Sequence, residues 1–169
     1  MTSAPNNWDD AAGDALDAIY YGGSSTRKTL RGLRATLDDF IDTEFRADLT
    51  TSSTATFWRI LGQEALGLAE QDYPETRKYL TKYDVHALLV RKQRDYGHEN
   101  IRRFGRDGLL VRVHDKVARL ENLAARNAEP GNEAVLDTLA DIIGYSAIGI
   151  MVANGQFLLP LADDLTADA

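Results

Sequence analysis

The chain has 169 residues, 44% of them hydrophobic and 27% charged, which fits one globular domain with a sizeable core, or one domain with a helical extension. A net charge of -7 and a pI near 4.9 argue against a broad nucleic-acid-binding face, which needs clustered Lys and Arg to displace phosphate counterions. A small anionic ligand, held by a local basic cluster or through a metal ion, stays open. The absence of cysteine excludes disulfides, thiol catalysis and Cys-based zinc sites.

In chain order, Trp8 to Tyr20 reads as a short helix that Tyr21-Gly22-Gly23-Ser24-Ser25 would end. From Thr26 to about Ala47, Leu30, Leu33, Leu37, Phe40, Ile41 and Phe45 recur at helical spacing and predict a long amphipathic helix. Thr50 to Thr54 reads as a polar break, and Phe57 to Ala69 as the next helix. Pro74 suits the first position of another short helix. Asp84 could cap a helix from Val85 to about Asp95, closed by Tyr96-Gly97. Asn100 to Leu109, with Gly105 and Gly108, reads as a loop or broken turn. Leu110 to Arg126 predicts a helix with Val113, Val117, Leu120 and Leu123 as its apolar stripe.

Glu129-Pro130-Gly131-Asn132 forms a turn signal with Asn132 as N-cap, and a last long helix runs from Glu133 to about Ala153, stopped by Asn154-Gly155. The tail after Leu161 is acidic, small and expected to fray. No segment alternates with period two, and the sole candidate strand is Gly108 to Val113, so the expected fold class is all-α. The opening MTSAPNNWDD lacks the basic and apolar blocks of a signal peptide. The most apolar stretch, Ile142 to Ala153, is about twelve residues long, where a bilayer span takes roughly twenty. A cytoplasmic chain without a membrane partner is the expectation.

Three segments carry candidate chemistry. Glu133, Asp137 and Asp141 are spaced i, i+4, i+8, which puts three carboxylates on one stripe of the last helix. Asp141 sits among apolar neighbours, where a carboxylate is costly unless it is paired or binds a cation. It therefore either pairs with a Lys or Arg of a neighbouring helix or ligates a metal, for which Mg²⁺ fits best because it shares oxygen ligands with substrate phosphates. Arg112, Lys116 and Arg119 form a cationic stripe on the preceding helix, with Asp115 and Asn122 alongside. That stripe is either a solvated face or a clamp for a phosphate chain. Between Lys92 and Asn100, Lys92 offers a charge, Tyr96 a stacking face and Asn100 an amide. His86, His98 and His114 have no metal-ligand spacing to one another. P-loop, dinucleotide-loop, nucleophile-elbow and HExxH motifs are all absent.

Lys92, Asp95-Tyr96-Gly97 and Asn100, then Arg112, Asp115-Lys116 and Arg119-Leu120-Glu121-Asn122-Leu123, then Asn132-Glu133, Asp137-Thr138, Asp141 and Gly144-Tyr145, form an ordered set. This set resembles the nucleotide modification associated domain 1 family, found largely in bacteriophages and similar in turn to the MazG-like all-α nucleoside triphosphate pyrophosphatases. The resemblance covers residues 85 to 153 and implies a core over 85–155, with 1–84 as a bundle-completing helical extension and 156–169 as a tail. It implies a homo-oligomeric bundle (dimer or tetramer) in which acidic residues hold Mg²⁺ against a nucleotide's phosphates, in the host cytoplasm if phage-encoded.

On this chain Glu133, Asp137 and Asp141 would hold the metal, with Asp115 assisting as a further catalytic carboxylate. Lys92, Arg112, Lys116 and Arg119 would bind phosphates, and Tyr96, Asn100 and Asn122 would complete the substrate site. The implied activity is hydrolysis of a nucleoside or deoxynucleoside triphosphate to the monophosphate and pyrophosphate. The first acidic helix departs from that pattern: in place of Glu-x-x-Glu, residues 110–126 offer Asp115 and Glu121 amid Arg112, Lys116 and Arg119. The alternative is therefore a non-catalytic nucleotide-binding protein, acting as a sensor, a sponge or an accessory to DNA modification.

Overall fold

A computed structural model describes residues 4–22, 27–44, 51–74, 77–126 and 133–167. The helices are α1 (Trp8–Tyr20), α2 (Leu30–Glu44), α3 (Thr51–Asp72), α4 (Lys82–Tyr96), α5 (Glu99–Arg102), α6 (Gly105–Ala125), α7 (Glu133–Ala153) and α8 (Ala162–Ala167), with a 3-10 turn at Arg77–Tyr79. Among the described residues there is no strand, and the fold is all-α.

The apolar content of α7 dictates the architecture. Its residues from Ile142 to Met151 are buried apart from Tyr145, so it must be covered all round. Helices α3, α6, α1 and α4 supply that cover. Small residues let them close in: a Cβ on Gly149 would lie 2.1 Å from Cδ2 of Trp58 on α3, and one on Gly144 would lie 3.1 Å from Cδ2 of Leu89 on α4. By length and composition α7 could also cross a membrane, but 67% of its most apolar window is buried inside the bundle, as a core helix requires.

A second layer joins α2 to α3, where Phe40 stacks on Phe57 at 4.7 Å and meets Trp58 edge-on at 5.0 Å. Arg34 on α2 grips both carboxylate oxygens of Glu121 on α6 at 2.9 and 2.8 Å. Helices before residue 84 and after it thus share one apolar core.

The structure departs from the sequence expectations at several element ends. The polar break at 50–54 lies largely inside α3, which begins at Thr51; Thr54 is buried one turn before Trp58, and packing there outweighs its weak helix propensity. Helix α4 is capped by Thr81, not Asp84. The Thr81 hydroxyl accepts the Asp84 N–H at 3.2 Å while the Asp84 carboxylate accepts the Thr81 N–H at 3.3 Å, so Asp84 is the far half of a capping box.

The expected loop from Asn100 to Leu109 holds α5 and the first turn of α6, separated from α4 by Gly97 (φ 65°) and from each other near Gly105 (φ 50°). The candidate strand at Gly108 to Val113 is therefore helix. Between Pro74 and α4 the described residues hold a 3-10 turn at 77–79.

Just before the tail the chain packs: Phe157 and Leu161 are buried and the Trp8 N–H donates to the Pro160 carbonyl at 2.7 Å. After Leu161, where fraying was expected, the chain forms α8, which starts with the Ala162 N–H donating to the Asp9 carboxylate at 2.9 Å and exposes residues 163–165. The expected turn at 129–132 with its Asn132 cap, and Phe45 with the end of the second helix at Ala47, lie outside the described residues.

Candidate functional site

Helices α6 and α7 run antiparallel. Lys116 meets Asp141, and one turn along Arg112 lies over the Tyr145 ring at 6.0 Å. Helix α4 crosses beside them and presents Leu88, Lys92 and Tyr96 at i, i+4, i+8, with Leu89 and Gln93 on the adjoining stripe. Together with Asn100 and Ile101 of α5 and Trp8 of α1, these faces enclose a cleft of about 280 Å³.

Asp141 is at the centre of its polar wall. Lys92 Nζ donates to one carboxylate oxygen at 2.8 Å, and Lys116 Nζ donates to the other at 2.7 Å. The carboxylate side chain is only 14% exposed, against 42% for Lys92 and 26% for Lys116, so both ammonium groups keep water on their outer sides. Burial pushes the Asp141 pKa up and is the largest single influence. The hydrogen bonds and charges of Lys116 and Lys92 together outweigh it, holding the carboxyl below its ordinary value and ionised at neutral pH.

Arg112 is held independently, donating to the Asn100 side-chain oxygen at 2.9 Å. Three cations and one carboxylate therefore line the cleft, a local excess of positive charge in a chain whose net charge is -7.

Of the residues singled out in the sequence, Lys92, Tyr96, Asn100, Arg112, Lys116 and Asp141 come together here. The others do not join them. Glu133 and Asp137 are exposed on α7 and outside the cleft lining. Asp115, 74% exposed, faces away toward His114 at 3.9 Å. Arg119 and Asn122 are exposed beyond the cleft, toward the α6–α7 connection.

Among the described residues no group of three or more His, Cys, Asp or Glu side chains converges as a metal site would need. His86 and His98 are instead bonded to the carbonyls of Asp9 and Leu159 at 2.8 and 3.0 Å. Among the described residues one carboxylate lines the cleft, and both its oxygens already face ammonium groups. That donor set suits an anion better than a Mg²⁺ held by the protein alone.

Three polar or aromatic lining residues were not found as site residues from the sequence: Trp8, Gln93 and Tyr145. Gln93 is a buried polar residue, 7% exposed, at the point where its helix approaches α7. Tyr145 carried a signal, its position one turn after Asp141, while Trp8 reaches the cleft only through the packing of α1 on α4 and α7.

Comparison of the chain with protein-family models, curated proteins and solved structures gives no significant match.

Proposed function

We propose that this protein binds a nucleotide in the cleft between α4, α6 and α7, through its phosphates, and without cleaving it. The observation that carries this reading is the lining of Lys92, Lys116 and Arg112 against Asp141 alone. A phosphate group brings the counter-charge that the extra cations need, and Arg112, pre-oriented by Asn100, can grip two phosphate oxygens at once. Tyr145 and Tyr96 offer flat faces beside these cations for a sugar or base, and the family resemblance of residues 85 to 153 points to the same ligand class. The volume of about 280 Å³ is just under the usual range for ligand pockets and leaves no room for a dinucleotide.

The Mg²⁺-dependent hydrolase reading keeps one supporting observation, the ionised Asp141 carboxylate on the cleft wall. It needs a metal delivered by the nucleotide, because Glu133 and Asp137 lie outside the lining. One experiment separates the two. Purified protein is titrated calorimetrically with tripolyphosphate and with the four NTPs and four dNTPs, with and without Mg²⁺, and each mixture is then resolved by chromatography. The binding reading expects saturable heats, weakened in Lys116→Ala, and nucleotides recovered intact. Monophosphate and pyrophosphate formed only with Mg²⁺ replace it with the hydrolase reading, and no heat with any ligand removes both.

A further inference from the structure

Resting on the nucleotide-binding reading above, a second feature of the same cleft says which part of the ligand meets its inner wall. Trp8, the first residue of α1, is fully buried; its backbone N–H donates to the Pro160 carbonyl and its ring meets Phe157 edge-on at 6.3 Å. Trp8 is also one of the residues that line the cleft, and its Nε1–H has no hydrogen-bond partner among the described residues. An indole N–H can only donate, and a buried tryptophan ordinarily finds an acceptor, because an orphaned donor carries an uncompensated desolvation cost.

The cationic groups of the cleft are already engaged: Lys92 and Lys116 with Asp141, and Arg112 with Asn100. Besides these cations the cleft lining holds the apolar Leu88, Leu89, Ile101 and Ile148 and the buried Gln93. Cations, apolar residues and an unsatisfied donor in one lining offer partners for the phosphates, the flat faces and the edge of a nucleotide.

We propose that Trp8 is a specificity-determining residue: its Nε1–H donates to a carbonyl oxygen or ring nitrogen of the nucleobase, while Lys92, Lys116 and Arg112 hold the phosphates. A base edge presents such acceptors in its plane, whereas inorganic polyphosphate engages the cations alone. The ring is sealed from water in the free protein (0% exposed), so the bond forms on a side-chain movement in the wall, an ordinary extent of change when a ligand enters.

The test compares tripolyphosphate with the best-bound nucleoside triphosphate, on the wild-type chain and on Trp8→Phe, which keeps an aromatic ring and loses the donor. Trp8→Phe is expected to bind the nucleotide about tenfold more weakly and tripolyphosphate as before. In parallel, the two tryptophan indole N–H signals of the ¹⁵N-labelled wild-type protein are followed by NMR, with that of Trp8 assigned through its contact with Phe157. The nucleotide should move the Trp8 signal downfield and tripolyphosphate should leave it in place. Equal nucleotide binding by Trp8→Phe, or a Trp8 signal unmoved at nucleotide saturation, overturns the proposal and leaves the nucleotide-binding reading standing. If Trp8→Phe does not fold, the wild-type NMR decides alone. No nucleotide binding to the wild-type chain overturns both.

Discussion

Asp141→Asn changes one atom of the site and separates the electrostatic roles assigned to it. The amide keeps the shape of the carboxylate but no longer balances Lys92 and Lys116, whose ammonium groups sit 2.8 and 2.7 Å from its oxygens. Removing one partner of a fully buried pair costs about 3–5 kcal/mol. Here the lysines are 42% and 26% exposed, so solvent screening reduces the expected loss to about 1–2 kcal/mol, or a fall in Tm of roughly 2–8 °C for a chain of this size.

The same substitution removes a negative charge that faces any phosphate taken up by the lysines. At about 5 Å and an effective dielectric near 20 that repulsion is about 3 kcal/mol before screening. Half of it surviving screening corresponds to roughly tenfold tighter binding of tripolyphosphate. Thermal melts with and without tripolyphosphate, followed by calorimetry, read both effects: the variant should melt lower when free and gain more from the ligand. A variant that melts like the wild type, or binds tripolyphosphate more weakly, refutes the account of Asp141 as an internal counter-ion.

The pH dependence follows from the direction of its shift. Because the folded carboxyl titrates below its ordinary value, its contribution is fully present above the unfolded pKa and is lost as pH falls through the folded one. The stability gap between wild type and Asp141→Asn should therefore be widest near neutrality and close as pH falls through and below the ordinary carboxylate range.

Lys116→Ala should weaken tripolyphosphate binding about tenfold by calorimetry, since it deletes the less exposed of the two ammonium groups; unaltered affinity would falsify the assignment of Lys116 to the anion site. Gly149→Ala forces a Cβ to within 2.1 Å of the Trp58 ring and should cost about 1–3 kcal/mol in urea unfolding, so an unchanged midpoint contradicts the close α3–α7 approach. Thr81→Ala breaks the capping box of α4 and should lower stability by about 1 kcal/mol, while Thr81→Ser should retain most of it.

The helical class was legible because periodicity of apolar residues reports directly on a buried face, as along α1 from Trp8 to Tyr20, and because α7 from Glu133 to Ala153 is an apolar run of helix length with a stop signal at Asn154-Gly155. Ends were misread where a polar residue has two possible duties. Asp84 looks like an N-cap by type, but Thr81 three residues earlier completes a reciprocal pair that only geometry distinguishes. At Thr54 tertiary packing decides, and no local signal at 50–54 announces that α3 already needs a residue facing the core one turn before Trp58. Around Gly105 the reverse holds: two glycines suggested a loop, but the left-handed turn is spent on a single residue and the helix resumes at once.

The site was legible to the extent that helical spacing groups side chains on one element, and illegible where function depends on which elements meet. Spacing alone put Glu133, Asp137 and Asp141 on one stripe, but a neighbouring helix covers only part of a stripe. The antiparallel register that pairs Lys116 with Asp141 and Arg112 with Tyr145 leaves Asp137 and Arg119 exposed beyond the cleft. The carboxylates therefore do not act as a set, and the cations of α4 and α6 outnumber the one that remains. A metal needs anionic oxygens in excess, whereas here the excess is cationic and drawn from two helices, α4 and α6, with Asn100 of α5 orienting Arg112. The inversion of sign between the acidic chain and its basic cleft follows from that register, which sets one carboxylate of the stripe against Lys92 and Lys116 and leaves Glu133 and Asp137 in solvent.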